Sequence, residues 1–263
     1  MRRRNFIAGS GALTLGGLLP GALAAEKQLM PSGGMVSEIY ELRKYTLTAT
    51  GRLPFDQYWH AVTVPALTRN GARCVGVFEE LTPSDPAYMY VLVVYPSWNE
   101  YLQLSDKIAT DDTFMERKQF WDNIPSQDKP FERYDTWILE AFSGFQQLLQ
   151  YDITEDRIFE MRTYEGYNED AVRRKVGMFN NEEIDIFRKT GLHPVFFSKM
   201  VAGPQMPALT YLLKFRDMTE RDANWKVFVD SPDWKGIKDK PEYAETVSKI
   251  IQVFLKPTSY SQI

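Results

Sequence analysis

The chain repeats itself, and this internal repeat constrains its fold more than any other feature of the sequence. The stretch EIYELRKYTL (38–47) recurs as RIFEMRTYEG (157–166), so that Glu41 and Arg43 correspond to Glu160 and Arg162. Two further blocks hold nearly the same register, RNGARCVGVF with KTGLHPVFFS and YVLVVYPSWNE with TYLLKFRDMTE. Such self-similarity predicts a duplicated structural unit of about a hundred residues.

Each unit has the same predicted order of elements. In the first unit a strand, a helix, two strands, a helical stretch and a last strand are expected at 38–46, 54–70, 72–80, 88–95, 97–121 and 135–143. In the second unit they are expected at 157–165, 168–190, 192–200, 208–216, 219–239 and 247–255. Gly71 and Gly191 follow the first helix of each unit as C-terminal caps, and Pro65 is expected to kink that helix in the first unit.

The order βαββαβ is that of a ferredoxin-like unit, which leaves one face of its sheet without helices. Two such units in one chain can bury these faces against each other. The sequence therefore predicts an α+β fold in which two tandem ferredoxin-like units pack as a pseudo-dimeric α/β barrel. The predicted division is a signal peptide at 1–25, a linker at 26–37, a first unit at 38–145, a second linker at 146–156 and a second unit at 157–263.

The first residues carry a targeting signal rather than part of the fold. Arg3-Arg4-Asn5-Phe6-Ile7 matches the twin-arginine export motif, and a weakly apolar stretch with an A-x-A ending follows it. This pattern predicts export to the periplasm with cleavage near Ala24/Ala25. An uncleaved membrane anchor and an ordinary secretory signal are the alternatives.

Charge and cysteine content exclude several classes of protein. The net charge is −4, whereas a nucleic-acid partner requires a basic surface. The single cysteine, Cys74, rules out an intrachain disulfide framework. No segment after the signal is apolar enough for stable membrane insertion. Glu182 and Asp185 lie one turn apart on a predicted helix without a calcium-binding loop beside them. They are interpreted as part of a solvated helix face, and no metal is expected.

Charged residues on the repeated strand allow two interpretations. Because alternate residues of a strand share a face, Tyr40 and Leu42 are expected under the helices, and Glu41, Arg43 and Tyr45 between the two sheets. There the Glu–Arg pairs are either structural ion pairs that set the strand register or the polar floor of a ligand cavity. The sequence leaves both interpretations open.

The candidate ligand-binding residues combine these pairs with nearby aromatic residues and the two histidines. They are Glu41, Arg43, Tyr45, Trp59, His60, Glu160, Arg162, Tyr164 and His193. No cofactor is expected. Haem is the alternative, because His60 or His193 could supply an axial ligand.

Several blocks of the sequence resemble the NIPSNAP family, in its exported bacterial branch. They are YELRKY (40–45), VGVFE (75–79), VGMFNNEEIDIFRKTGLHPVFF (176–197), MPALTYLLKFRDMTERDANWKVFVDSPDWK (206–235) and KPTSYSQI (256–263). The resemblance implies a dimeric α/β-barrel fold but supplies no catalytic residues. The wider barrel superfamily includes cofactor-free monooxygenases and haem peroxidases, which is an analogy of fold only.

Two functions are therefore carried forward. The first is a binding protein that takes a small organic ligand or a protein partner in or near the barrel, with self-association left open. The alternative is a cofactor-free or haem-dependent oxygenase or peroxidase of the dimeric α/β-barrel type.

Overall fold

The structure is a computed structural model that describes residues 36–263. The predicted signal peptide, with Arg3 and Arg4, and most of the linker that follows it lie outside the described residues. Within the described part of the chain, no helix is long and apolar enough to cross a membrane.

The two halves contain corresponding elements. The first half comprises β1 (Ile39–Leu47), α1 (Arg52–Tyr58), α2 (Val64–Arg69), β2 (Cys74–Glu80), β3 (Tyr88–Tyr95), α3 (Trp98–Ala109), α4 (Asp112–Arg117), α5 (Gln119–Asp122) and β4 (Phe131–Ala141). The second half comprises β5 (Ile158–Glu165), α6 (Glu169–Met178), α7 (Ile184–Lys189), β6 (His193–Ala202), β7 (Ala208–Phe215), α8 (Met218–Asp230), α9 (Pro232–Ile237) and β8 (Lys249–Pro257). The element order is as predicted, although β4 begins four residues before its predicted start at 135.

Helix ends follow local sequence signals. The side chain of Ser97 accepts a hydrogen bond from the Glu100 N–H at the start of α3, and Asp217 does the same for Glu220 at the start of α8. Gly71 and Gly191 have φ values of 119° and 75°, which a residue with a Cβ adopts only at a cost. The predicted glycine caps are confirmed.

A π-helical turn interrupts the first helix of each half at the same place. Trp59–Thr63 joins α1 to α2, and Phe179–Glu183 joins α6 to α7. Pro65, which was expected to kink the first of these helices, lies directly after the π turn, in the first turn of α2. Asp185 occupies the position of Pro65 in the second half, and a π turn is present there too. Proline is therefore not the common cause of the two π turns.

The eight strands form one closed antiparallel barrel in the order β1-β3-β2-β8-β5-β7-β6-β4. Each half supplies four neighbouring strands. The halves meet at two seams, β2 with β8 and β4 with β6. The structure therefore shows a mixed α+β fold built on a barrel.

Side chains from both halves fill the barrel. The Tyr40 ring lies 4.8 Å from that of Phe196, and the Phe78 ring lies 5.1 Å from that of Phe159. Leu42 and Met161 belong to the same buried cluster. An eight-stranded barrel is just wide enough for its own side chains to fill it. Most of this interior is a packed core, beside a cavity of about 120 Å³ lined by interior residues such as Leu42 and Met161.

The predicted assignment of the two strand faces is wrong. Glu41, Arg43 and Tyr45 do not face the barrel interior but the helices outside it, where Tyr45 packs against Phe55 and Trp59. Tyr40 and Leu42, expected beneath the helices, line the interior instead. Both faces of β1 are covered, so alternation separated the faces correctly without showing which one closes the barrel.

Candidate functional site

Glu41 and Arg43 form an ion pair on the outer face of β1, beneath the helices of the first half. Arg43 Nε lies 2.7 Å from Glu41 Oε1, and the Tyr95 hydroxyl donates to Glu41 Oε2 at 2.7 Å. The side chains of Arg43 and Glu41 are 27% and 10% exposed. The pair is thus shielded but in contact with solvent.

A cavity of about 540 Å³ lies beside this pair. Its walls come from β1, β3, α2 and α3, and the lining residues are Glu41, Arg43, Leu67, Tyr95, Tyr101, Leu102, Leu104, Ser105 and Ile108. Leu102 is 68% exposed and Ser105 is also exposed, so the cavity opens to solvent along α3. Its volume is in the range of small-molecule sites, about 300–1,000 Å³.

The polar groups at the cavity have defined protonation states. Burial, the nearby Glu41 carboxylate and its hydrogen bond raise the pKa of Tyr95, so this phenol stays neutral and donates. Burial likewise raises the pKa of Tyr101. Burial alone would lower the pKa of Arg43, but Tyr45 and Glu41 outweigh it and the net shift is upward. The site therefore contains a neutral phenol and a charged guanidinium, and both donate to the Glu41 carboxylate.

The matching carboxylate of the second half, Glu160, is fully buried and surrounded by N–H donors. Arg162 Nη1 lies 2.7 Å from Glu160 Oε1, Arg221 donates through Nε and Nη2 at 2.9 and 3.0 Å, and Trp225 Nε1 donates at 2.7 Å. The Gln252 side-chain amide also donates to it. Burial raises the pKa of Glu160, but the bonds from Arg221 and Arg162 more than offset this, and the net pKa is lowered.

The halves differ in what surrounds the same Glu–Arg pair. With the caps Ser97 and Asp217 aligned, Tyr101 and Ser105 of α3 occupy the positions of Arg221 and Trp225 in α8. Arg221 and Trp225 of α8 therefore occupy the space around Glu160, whereas Ser105 of α3 is much smaller than Trp225 and a cavity lies beside Glu41. Arg162 also stacks on the Trp225 ring, 4.8 Å from its centroid.

The other predicted site residues lie elsewhere. Tyr45 and Trp59 pack in the aromatic core outside β1, although the Tyr45 hydroxyl reaches Arg43 Nη1 at 3.4 Å. Tyr164 bonds to the Tyr211 hydroxyl at 2.7 Å within the core of the second half. The sequence brought nine residues together as one candidate site, and the structure separates them into two polar clusters and their surroundings.

Neither histidine lines the cavity beside Glu41. His60 is exposed and its ring stacks on Tyr260 at 5.0 Å. His193 is half-buried at the start of β6, with Nε2 3.9 Å from Glu220 Oε1. A role for either as a haem ligand stays a prediction.

Seven of the nine cavity residues were missed from the sequence, and the polar ones among them are Tyr95, Tyr101 and Ser105. A signal existed, because alignment of the halves sets Tyr101 and Ser105 against Arg221 and Trp225. The sequence does not show, however, that these positions of α3 and α8 face the Glu–Arg pairs. Only the packing of the helices on the sheet shows this.

A second buried ion pair, Lys175 with Glu183, was also missed. Lys175 Nζ lies 2.7 Å from Glu183 Oε2, and burial raises the pKa of that carboxyl. The acidic cluster next to it is engaged on the protein surface, since Glu182 binds Lys240 and Tyr243, and Asp185 pairs with Arg188. Among the described residues, no three potential metal ligands come together.

Residues 159–262 match the model of the NIPSNAP family. This confirms the resemblance predicted from the sequence for the second half of the chain. No curated protein matches the chain.

Three solved structures are similar to this chain. A proposed monooxygenase from Fusobacterium nucleatum subsp. nucleatum aligns with a TM-score of 0.55 and 6% identity, covering 84% of this chain and 93% of that one. A proposed monooxygenase from Lactobacillus acidophilus has the same TM-score of 0.55 at 13% identity, covering 84% and 94%. A NIPSNAP-like domain protein from Burkholderia xenovorans covers 41% of this chain and 90% of its own, with a TM-score of 0.36 and 18% identity. At such identities the first two show a shared fold.

Proposed function

We propose that this chain, whose second half matches the NIPSNAP family, binds a small organic molecule in the cavity beside Glu41. The contrast between the halves carries this proposal. The same Glu–Arg pair is enclosed by Arg221 and Trp225 in the second half and adjoins a 540 Å³ cavity in the first. A shielded polar pair next to an unfilled, largely apolar cavity is the usual anatomy of a ligand site.

We further propose that the halves are duplicated ferredoxin-like units that diverged in role. In support, the strands of each half lie in the same relative order, with the fourth beside the first, then the third and the second. The second unit then keeps the Glu–Arg pair as a structural element, while the first keeps it as part of a binding site. Export to the periplasm stays part of the proposal.

The alternative, an oxygenase, draws on the two proposed monooxygenases that share the fold. A shared fold does not imply a shared reaction. Ligand binding is therefore the better-supported function. The same experiment addresses both, because the extract from an oxygenase would contain a product that carries oxygen from O₂ beside the unreacted molecule.

The test is to identify molecules that the protein retains on purification. The full chain is purified from its own host, denatured and extracted, and the extract is analysed by mass spectrometry. Ser105→Trp places the indole of the second half in the cavity and should remove the retained molecule. Gln103→Trp, an exposed position on the same helix, is the matched control and should retain it. Equal retention in Ser105→Trp and the unaltered protein would refute this site.

A further inference from the structure

We infer that the ligand of the first-half cavity is a cation with N–H donors on an aromatic or apolar group, such as an arylalkyl amine, an amidine or a guanidine. This inference rests on the proposed function and adds the chemical class of the ligand. The inference depends on a comparison of the two halves. Arg221 and Trp225 donate to Glu160, whereas a cavity lies in the corresponding place beside Glu41.

The second half shows what this pocket accommodates when it is filled. The groups that α8 directs at Glu160 are a guanidinium and an indole N–H, one helical turn apart. Both donate hydrogen bonds to the carboxylate, and the guanidinium also lies over the Trp225 and Phe254 rings, at 5.7 and 5.4 Å. A cationic donor joined to an aromatic surface therefore matches the enclosed copy of the site.

Glu41 retains the capacity to accept such donors. A carboxylate has about four acceptor positions, and Glu41 accepts from Arg43 and from Tyr95. Glu160, in the same place on the equivalent strand, accepts from two arginines, a tryptophan and a glutamine. The N–H donors of a cationic ligand would bring Glu41 to a similar state.

The cavity walls favour the same class of ligand. The tyrosines at positions 95 and 101 supply aromatic rings, on whose faces a cation binds favourably. Leu67, Leu104 and Ile108 supply apolar surface for the rest of the molecule.

An anionic ligand would have to rely on Arg43, which has other partners. Its Nε is held by Glu41, its Nη1 lies 3.4 Å from the Tyr45 hydroxyl, and its guanidinium carbon lies 5.7 Å from the centroid of the Tyr134 ring. Tyr134 lies on β4, whereas the second oxygen of Glu41 accepts from Tyr95 on β3. Glu41 and Arg43 both line the cavity, so a ligand of either sign meets one like charge, and the acceptor positions left on Glu41 decide for the cation.

The test uses three probes that share one ring and differ in charge: benzamidine, benzamide and benzoate. Each is titrated into the full chain by isothermal titration calorimetry. We expect benzamidine to bind at least tenfold more tightly than benzamide or benzoate. Glu41→Gln should weaken it by about 10- to 100-fold, the range expected from loss of a charge-assisted hydrogen bond.

Ser105→Trp tests whether benzamidine binds in this cavity. The result remains informative even if Glu41→Gln does not fold. It should abolish benzamidine binding, whereas Gln103→Trp should leave it unchanged. If benzoate or benzamide binds as well as benzamidine and is lost in Ser105→Trp, the ligand class is overturned while the site stands. Benzamidine binding that persists in Ser105→Trp, or no benzamidine binding at all, overturns the inference.

Discussion

At the scale of residues, Glu41 and Glu160 are corresponding carboxylates with different surroundings. Glu160 has no contact with water, and its charge is compensated by Arg162 and Arg221, whose side chains are 14% and 19% exposed. Removing one partner from such a buried network leaves charge uncompensated, which costs far more than breaking a surface pair. Glu41 lacks the second arginine and is less enclosed, so its surroundings can change at lower cost.

Arg221→Met should therefore lower the free energy of unfolding by about 3 kcal/mol. This is the lower end of the range for breaking a buried pair, because Arg162 remains beside Glu160. The measurement is urea-induced unfolding at neutral pH. Arg173→Met, which removes an exposed partner of Asp170, is the control and should cost under about 0.5 kcal/mol. A loss below 1 kcal/mol for Arg221→Met would mean that the network around Glu160 is not a stability element.

The same variant has a predicted pH dependence. The folded pKa of Glu160 lies below its ordinary value of 4.5, so the folded protein binds fewer protons there than the unfolded chain. The stability from this carboxylate is present above pH 4.5 and is lost as the pH falls through the lower folded pKa. The difference between the unaltered protein and Arg221→Met should shrink below pH 4.5. A difference that stays constant down to pH 3 would contradict the assignment.

At the scale of elements, α3 and α8 hold corresponding positions in the two halves but carry different side chains. Both begin after an N-cap that bonds to the N–H of a glutamate three residues later. They diverge on the face directed at the sheet, where α8 carries Arg221 and Trp225. The divergence changes what the helix covers without changing where it lies.

Transplanting the face of α8 onto α3 should close the site. Tyr101→Arg with Ser105→Trp fills the cavity and supplies N–H donors to Glu41, as in the second half. Burial of an indole contributes about 2 kcal/mol, partly offset by desolvation of the new guanidinium. We expect the double variant to unfold at a higher urea concentration than the unaltered protein, with no ligand retained. Ser105→Trp alone separates the packing contribution from that of the charge, and a double variant less stable than the unaltered protein would refute the equivalence.

At the scale of the molecule, the barrel joins both ends of the described chain. β1 lies between β3 and β4, while the C-terminal Ser261 and Gln262 bond to the backbone of β2 in the first half. Phe78 and Phe159 from opposite halves meet in the interior. The first half therefore completes its contacts only when the last strand and the residues after it are in place.

The dependence of the barrel on both halves is relevant to the proposed export route. A twin-arginine signal directs a chain that folds before it crosses the membrane, which suits a barrel whose interior needs both halves. Replacing Arg3 and Arg4 together with lysine should leave full-length precursor in the cytoplasm, because the receptor reads the arginine pair. Immunoblotting of cell fractions measures this, with Arg2→Lys as the matched control. Processing of the double variant to a form that begins near Ala25 would refute the predicted route.

The sequence by itself determined the repeat, the order of the elements, the glycine caps and the recurrence of the Glu–Arg pair. These features are local or periodic, so one chain is enough to show them. The tertiary structure alone decided which face of β1 closes the barrel and which copy of the pair adjoins a cavity. The reason is that the alternation of side chains assigns residues to two faces of a strand. When both faces are covered, it does not show which face lines the barrel interior. The cavity depends on how Tyr101 and Ser105 of α3 approach β1 and β3, and such convergence of distant elements leaves no pattern in the local sequence.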